Sequence, residues 1–310
     1  MRIVFFGNAD FGIPSLERLT SSRHHIAAVV TNPDKLQGRG KKPGPTPIKK
    51  RALSLELSVL EAENLNSEEV YGQVSNLEAE LFLVIAYRIL PERIFGLPPQ
   101  GTVNLHASLL PKYRGAAPIR WALIKGEPKT GVTTFLIEKR VDTGKMILQK
   151  ETAIGDEESY GELYQRLSHL GAQAVLETVE KIELGEVELI SQDPGQATPA
   201  PKITKELGKI DWNQDAVRIC NLVRALSPRP GAFTFYQGKI LKILKGRAGN
   251  GESEAGQTGV ITAADPKNGL RVCCHMGEVQ VITLQLEGKS PLPAEEFLRG
   301  YRMKAGERLD

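Results

Sequence analysis

The sequence has little cysteine and no cluster of metal ligands. Its only cysteines are Cys220, Cys273 and Cys274, and the last two are adjacent. An odd number of cysteines with this spacing excludes a disulfide framework of the kind that stabilises small secreted domains. No set of Cys and His residues has the spacing of a zinc site either. We therefore expect a protein of a reducing compartment that binds no metal.

Long hydrophobic runs are also missing from the sequence. The apolar run Ile3 to Phe6 is too short for the core of a secretory signal, and no other run reaches the roughly 20 apolar residues of a membrane-spanning helix. The turn that follows this run, Gly7 to Asp10, lacks the Gly-x-Gly-x-x-Gly pattern, which argues against an NAD site. These absences favour a cytoplasmic protein with no membrane partner.

The overall charge is close to balanced, but one segment is basic. The formal net charge of +3 does not by itself require a nucleic-acid partner. The range 32–47, however, is rich in glycine and proline and contains a single acid, Asp34; its basic residues are Lys35, Arg39, Lys41 and Lys42. A loop of this composition is either a solvated surface loop or a segment that contacts nucleic-acid phosphates.

Hydrophobic patterning divides the 310 residues into two parts. Strands predicted at 2–6, 25–31, 81–86 and 102–105 alternate with helical segments, which is the pattern of an α/β domain with a Rossmann-like, mostly parallel sheet. The range 192–201 is rich in proline and glycine, as linkers are. Five short strands between residues 233 and 285 then predict a small closed barrel. We predict domains at 1–189 and 209–310, joined by a linker at 190–208.

The rest of the sequence is organised around the stretch from Thr102 to Pro118. Asn104 and His106 are two apart on a predicted strand, so their side chains point to the same side. A helix at 119–125 and a strand at 131–137 follow, and such a crossover places parallel strands side by side. We expect the next loop, which contains Asp142, to return to the carboxyl end of the first strand and bring Asp142 to His106.

These three residue types suit acyl-like transfer to an amine. An asparagine amide can donate a hydrogen bond to an oxyanion, an imidazole can carry a proton near neutral pH, and a carboxylate can orient the imidazole. The alternative is that Asn104 and His106 are ordinary polar residues at a strand end, which is the commoner role of this pattern. Spacing alone does not separate the two.

The motifs around these residues resemble those of the 10-formyltetrahydrofolate-dependent formyltransferases, over nearly the whole chain. The matching motifs are Asn104-x-His106-x-Ser108-Leu-Leu-Pro111, Arg114-Gly-Ala-Ala-Pro-Ile119 and Val141-Asp-Thr-Gly144. By this resemblance Asn104, His106 and Asp142 are the catalytic residues, and 10-formyltetrahydrofolate is the co-substrate, with no metal. The residues that the resemblance implies for folate contact are Arg88, Ile89, Leu90, Ser108, Leu109, Leu110, Pro111 and Val141.

Within this family, the similarity is greatest to members that formylate initiator methionyl-tRNA. The resemblance then implies that Arg39, Lys41 and Lys42 contact the tRNA acceptor stem, and that the C-terminal domain is an OB-like barrel that binds tRNA. A monomer is the default expectation. The alternatives are formyl transfer to a UDP-amino sugar or to glycinamide ribonucleotide, and a non-catalytic tRNA- or folate-binding protein on the same scaffold.

The sequence departs from these members at several positions. Arg88-Ile-Leu90 lacks the glycine that usually precedes the corresponding segment in these members. The wall of the folate pocket can therefore differ from theirs. Gly7-Asn-Ala-Asp10 replaces a Gly-Thr-Pro turn, and Pro199 replaces a customary tyrosine. Ile89 and Leu90 could equally be plain core residues.

Overall fold

The structure is a computed structural model that describes residues 1–37, 42–250 and 256–310. The chain divides into two compact units. Unit 1 consists of Met1–Pro118, Thr130–Thr152 and Tyr164–Ala200, and unit 2 of Ile119–Lys129, Ala153–Leu163 and Pro201–Asp310. No helix in these described ranges is long and apolar enough to cross a membrane.

The first 184 residues form both strands and helices. The strands are β1 (Arg2–Gly7), β2 (His25–Thr31), β3 (Lys35–Gln37), β4 (Lys42–Gly44), β5 (Val59–Glu61), β6 (Leu81–Ile85), β7 (Thr102–His106), β8 (Lys129–Leu136) and β9 (Met146–Ala153). The helices are α1 (Ile13–Thr20), α2 (Pro47–Ser54), α3 (Glu68–Ser75), α4 (Glu92–Phe95), α5 (Pro118–Ile124) and α6 (Tyr160–Leu184). The short elements β3, β4, β5 and α4 were not predicted.

A seven-stranded sheet forms the centre of unit 1, in the order β5-β2-β1-β6-β7-β8-β9. The pairs from β5 to β7 are all parallel. Parallel strands in the middle of a sheet are covered on both faces, and β6, Leu81–Ile85, is accordingly apolar and buried throughout. The predicted Rossmann-like, mostly parallel sheet is therefore confirmed.

One predicted pairing is wrong, because β7 and β8 run antiparallel. Asn104 pairs with Phe135 and His106 with Thr133. A parallel return requires a crossover helix packed on the sheet, but residues 119–129, which include most of α5, belong to unit 2. The loop after β8 therefore starts at the amino end of β7, where the Ile137 amide donates to the Thr102 carbonyl at 2.7 Å.

Capping residues explain where two of the surface helices begin. The Thr46 hydroxyl accepts a hydrogen bond from the Lys49 amide at 3.1 Å, and Pro47 occupies the first turn of α2, where its missing N–H costs nothing. The Ser67 hydroxyl accepts from the Val70 amide at 3.2 Å at the start of α3. Each cap satisfies one of the amides that a helix start leaves unpaired.

Unit 2 is built on an antiparallel sheet with one long helix. Beyond residue 201 its helices and strands are α7 (Ala216–Leu226), β10 (Ala232–Tyr236), β11 (Lys239–Gly249), β12 (Ile261–Asp265), β13 (Gly269–Cys273), β14 (Glu278–Leu286), β15 (Leu292–Pro293) and α8 (Ala294–Gly300). The strand order is β10-β11-β14-β13-β12, and β15 also pairs with β14. Helix α7 and alternate strand residues bury their side chains in one core, which includes Ile219, Val223 and Val281.

The last residues of the chain close this sheet into the predicted barrel. Asp310 exchanges two main-chain hydrogen bonds of 3.1 Å with Phe235 of β10. On the other side, the Leu309 amide donates to the Gly259 carbonyl and the Ile261 amide to the Glu307 carbonyl, both at 2.8 Å. The final four residues thus join Phe235 of β10 to the start of β12 at Ile261, as expected for a closed barrel.

Candidate active site

His106, the last residue of β7, is held by one of its two ring nitrogens. Nε2 lies 2.8 Å from the main-chain oxygen of Tyr113. Because a carbonyl oxygen can only accept, Nε2 must carry the hydrogen. The other nitrogen, Nδ1, lies 3.9 Å from Oδ2 of Asp142, and both side chains are about nine-tenths buried. Nδ1 is therefore the ring atom that remains available to take up a proton.

Asp142 lies in the loop between β8 and β9, in a conformation that few residues adopt. Its φ is 55°, in the left-handed region, which aspartate tolerates better than most side chains. Oδ2 accepts a hydrogen bond of 2.8 Å from the Gly115 amide. The loop thus brings Asp142 Oδ2 to 3.9 Å from His106 Nδ1, although β8 is antiparallel to β7.

The tripeptide 113–115 holds both of these side chains. The Tyr113 carbonyl binds His106, and the Gly115 amide binds Asp142. Gly115 has a φ of 122°, and a Cβ atom there would lie 2.8 Å from the Ala200 carbonyl oxygen. Glycine is required at this position by both conformation and space. This explains physically why a glycine follows Arg114 in the motif.

Asn104 presents its amide on the same side of β7 as His106. Its main chain pairs with Val84 of β6 and Phe135 of β8, and its side chain is half-buried. Within the described part of the chain, no hydrogen bond uses the Asn104 side chain. Its amide is thus free to donate to a ligand.

The turn after His106 is held by polar side chains from β8 and β9. The Thr133 hydroxyl donates to the Ser108 carbonyl at 2.7 Å and accepts from the Leu110 amide at 3.1 Å. The Gln149 amide nitrogen donates to the Leu110 carbonyl at 2.8 Å. Ser108 and Leu110 are buried, and Leu109 and Pro111 are half-buried. Thr133 and Gln149 were not predicted from the sequence. Thr133 could be recognised only by its pairing with His106, which depends on the direction of β8.

The other residues predicted to contact folate differ in exposure. The Arg88 guanidinium donates to the Glu63 carbonyl at 2.8 Å and to the Tyr87 hydroxyl at 3.1 Å, so it braces the main chain. Leu90 is 4% exposed and packs in the core of unit 1. Ile89 and Val141 are 76% and 53% exposed, which is unusual for large apolar side chains. Of this group, these two side chains are available for apolar contact with a ligand.

The basic loop is only partly within the described residues. Arg39 and Lys41 lie outside them, and Lys42 begins β4, where its main chain pairs with Gln37. The nearby Lys49 ammonium binds Asp34 at 2.6 Å and Glu61 at 2.7 Å, and these hydrogen bonds raise the Lys49 pKa. Lys49 is therefore already neutralised by protein carboxylates.

The described residues contain no group of three or more His, Cys, Asp or Glu side chains that could hold a metal ion. A groove of about 900 Å³ lies elsewhere in unit 1, and its lining includes Arg18, His169 and Leu184 but none of the three candidate catalytic residues. We place the site at His106 and Asp142 because the chemistry of the side chains, and not the size of a groove, identifies it.

Replacing Gly144 by alanine should destabilise unit 1 and distort the Asp142 loop. A methyl group at Gly144 would overlap the Leu136 carbonyl oxygen, and main chain cannot move aside as a flexible side chain can. We expect the free energy of unfolding to fall by about 3 kcal/mol, measured by urea denaturation. Gly72→Ala is the control, because a methyl group on that residue of α3 meets nothing within 4 Å and should be neutral or stabilising. Equal stability of the two variants would contradict this geometry.

Comparison with known proteins gives consistent matches to both units. Residues 1–179 match the family model "Formyl transferase", and residues 202–302 match "Formyl transferase, C-terminal domain". The chain is 42% identical over 310 residues to a methionyl-tRNA formyltransferase of Alkaliphilus oremlandii, covering 100% of this chain and 99% of that protein.

Solved structures share the fold at low sequence identity. An N-formyltransferase from Helicobacter canadensis, in complex with folinic acid and dTDP-3-aminofucose, has a TM-score of 0.66 and 18% identity over 93% of this chain and 99% of its own. HypX from Aquifex aeolicus in complex with tetrahydrofolic acid has a TM-score of 0.62 and 19% identity, over 96% of this chain and 47% of its own. At these identities the likeness concerns the fold alone.

Proposed function

The chain belongs to the formyl transferase family, and on that premise we propose that it transfers a formyl group from 10-formyltetrahydrofolate to the amino group of methionyl-initiator tRNA. The product is N-formylmethionyl-tRNA, which is used to start translation in the cytoplasm. The acceptor is supported by the 42% identity over the full chain to a methionyl-tRNA formyltransferase. The observation that carries the chemistry is the pair of His106 Nδ1 and Asp142 Oδ2, 3.9 Å apart and held by one tripeptide.

The reaction needs one oxyanion to be stabilised and one proton to be moved. The amine nitrogen of the methionyl group attacks the formyl carbon, and negative charge develops on the formyl oxygen. The Asn104 amide, which has no partner within the described part of the chain, is the donor to that oxygen. The bond between the formyl carbon and the folate nitrogen then breaks, and the departing nitrogen gains a proton in place of the formyl group.

His106 and Asp142 handle the proton. The attacking nitrogen loses one proton and the departing nitrogen gains one, so no net proton is released. Because Nε2 is bound to the Tyr113 carbonyl, Nδ1 is the ring atom that takes up and releases this proton. The Asp142 carboxylate faces Nδ1 and stabilises the imidazolium while it holds the proton.

The folate co-substrate is proposed to lie against Ile89 and Val141. These exposed apolar side chains suit a flat ring, and main-chain groups of Ser108 to Pro111 supply polar contacts. Leu90 is a core residue and Arg88 is hydrogen-bonded to the main chain. These two residues would therefore support the wall of the folate pocket without contacting the folate. The tetrahydrofolate and folinic acid carried by proteins of the same fold support a folate site on this scaffold.

The tRNA is proposed to contact both parts of the chain. Arg39, Lys41 and Lys42, which belong to the first domain proposed at 1–189, would supply positive charge for the phosphates, and the barrel domain at 209–310 would provide a second surface. We propose that the range 190–208 joins them and that the protein acts as a monomer. No contact is assigned to Lys49, because its charge is neutralised by Asp34 and Glu61.

A direct assay tests the proposal. Purified protein should convert initiator tRNA charged with methionine to the formylated form in the presence of 10-formyltetrahydrofolate, as measured by chromatography of the released amino acid. Free methionine with uncharged tRNA is the control and should give no formylmethionine. A dTDP-amino sugar is a competing acceptor. No formylmethionine, or a higher kcat/KM for the sugar, would disprove the proposed acceptor.

A further inference from the structure

The segment 192–200 is hydrogen-bonded to the tripeptide that holds the catalytic pair. The Arg114 amide donates to the Thr198 carbonyl at 2.9 Å, and the Ala200 amide donates to the Arg114 carbonyl at 2.7 Å. The Tyr113 amide donates to the Thr198 hydroxyl at 2.9 Å. This proline-rich and glycine-rich segment therefore fixes the main chain on both sides of Arg114.

Gln192, at the start of this segment, binds both Arg114 and the loop that contains Asp142 with its side-chain amide group. Its Oε1 accepts two hydrogen bonds from the Arg114 guanidinium, of 3.1 Å from Nε and 2.7 Å from Nη2. Its Nε2 donates to the Asp142 carbonyl at 3.0 Å and to the Gly144 carbonyl at 2.8 Å. Both hydrogens and both lone pairs of the amide are used, so Gln192 is fully satisfied.

The orientation of this amide follows from its partners. Guanidinium groups only donate hydrogen bonds, so the atom facing Arg114 must be the amide oxygen. The nitrogen then faces the two carbonyls, which can only accept. No other common side chain of this length both accepts from a guanidinium and donates to two carbonyl groups.

The Asp142 loop needs such a partner because two of its main-chain carbonyl oxygens lie close together. The carbonyls of Asp142 and Gly144 both accept from the amide nitrogen of Gln192, at 3.0 and 2.8 Å. Two carbonyl oxygens that point to one spot repel each other unless a donor lies between them. The Gln192 amide supplies both hydrogens, and this holds the carboxylate at its position beside His106.

We propose that Gln192 is a positioning residue for the reaction, which sets the distance between the Asp142 carboxylate and His106 by joining the Asp142 loop to Arg114. This inference rests on the proposed function. Gln192 touches neither reacting group, and it acts through Asp142 and through the tripeptide 113–115. A displacement of about 1 Å in such a group costs on the order of 10²-fold in rate.

Gln192→Glu tests this role most directly, because it changes only the half of the side-chain amide that faces the Asp142 loop. The carboxylate still accepts from Arg114, but its second oxygen replaces the nitrogen that faced the Asp142 and Gly144 carbonyls, and three acceptors then repel one another. We expect kcat to fall by about 10- to 100-fold while KM for each substrate changes by less than about threefold. Gln192→Met, which has similar length and no hydrogen-bonding amide, should show the same split without the added charge.

The matched control is Gln196→Glu in the same segment. Gln196 is exposed, and its amide donates to Asp193. This variant carries the same charge change and should keep the wild-type kcat. The kcat of Arg114→Lys should lie between those of Gln192→Glu and Gln196→Glu. A lysine ammonium group can still donate one hydrogen bond to Oε1 of Gln192, but with less directional control than a guanidinium. Thermal unfolding of every variant identifies any general loss of structure.

The outcomes separate this inference from the proposed function. Wild-type protein without formyl transfer would disprove the proposed function, whatever the variants do. Active wild-type protein with Gln192→Glu and Gln192→Met equal to Gln196→Glu would disprove the positioning role. A rise in KM that accounts for the whole loss would overturn it as well, because it would place Gln192 in substrate binding. A fall in kcat at unchanged KM and unchanged melting temperature supports it.

Discussion

Replacing His106 by glutamine should lower kcat for formyl transfer by about 10²- to 10⁴-fold, the usual contribution of a general acid or base. Glutamine is long enough to donate from Nε2 to the Tyr113 carbonyl, which His106 Nε2 contacts at 2.8 Å. It has no atom that takes up a proton near neutral pH in place of Nδ1. The variant therefore removes the proton carrier and keeps the structural hydrogen bond.

The controls for this variant are stability and an unrelated histidine. His169 is exposed on α6, and His169→Gln should keep wild-type kcat. Single-turnover formylation at saturating folate reports the chemical step, and binding of a folate analogue reports the site. If His106→Gln retains more than about a tenth of the wild-type rate, general catalysis by this ring is disproved. A parallel loss of folate binding and of stability would instead indicate a structural role.

Replacing Asp142 by asparagine should have a comparable effect, through charge and not through shape. The group that accepts from the Gly115 amide at 2.8 Å must be an oxygen, so the asparagine oxygen takes the place of Oδ2 and still faces Nδ1 of His106. The negative charge that stabilises the imidazolium is lost. We expect kcat to fall by about 10²- to 10⁴-fold, the usual contribution of general acid or base catalysis, because His106 cannot carry the proton efficiently without this charge.

A double-mutant cycle makes this prediction specific. His106→Gln combined with Asp142→Asn should lose little more than the worse single variant, because each change disables the same proton transfer. Additive losses would show that the two residues act independently and would contradict the pairing at 3.9 Å. Asp156→Asn, at an exposed carboxylate, is the control and should leave kcat unchanged.

Much of the fold could be predicted because the signals are local. Strands such as 25–31 are apolar over a length set by the sheet, and the structure gives β2 the same bounds, His25–Thr31. The two-residue spacing of Asn104 and His106 places both side chains on one side of β7, whatever surrounds the strand. The proline-rich and glycine-rich composition near residue 192 and the short strands beyond it likewise predicted a second, β-rich domain without reference to tertiary contacts.

The direction of β8 and the partners of the site could not be predicted in this way. The strand after α5 could pair in parallel with β7 only if α5 packed on the same sheet as both strands. The sequence around α5 does not indicate whether this helix packs in the core of unit 1 or of unit 2. The buried Leu90 and the exposed Ile89 are adjacent and similarly apolar, so only packing distinguishes them. Gln192 and Thr133 are far from their partners in sequence. The sequence does not indicate which groups a polar side chain will bind, because these groups come together only when the loops have formed.

The amino-acid sequence by itself therefore determined the class of each unit and the identity of the groups that can carry the reaction, because periodicity and residue chemistry are properties of short segments. Only the tertiary structure decided which nitrogen of His106 is available, how Asp142 returns to it from an antiparallel strand, and that Gln192 joins the loops that hold them. These depend on the left-handed main-chain conformations of Tyr113 and Asp142 and on hydrogen bonds between residues 7 to 78 apart in the chain. Such contacts exist only after unit 1 has folded, since no local interaction selects them.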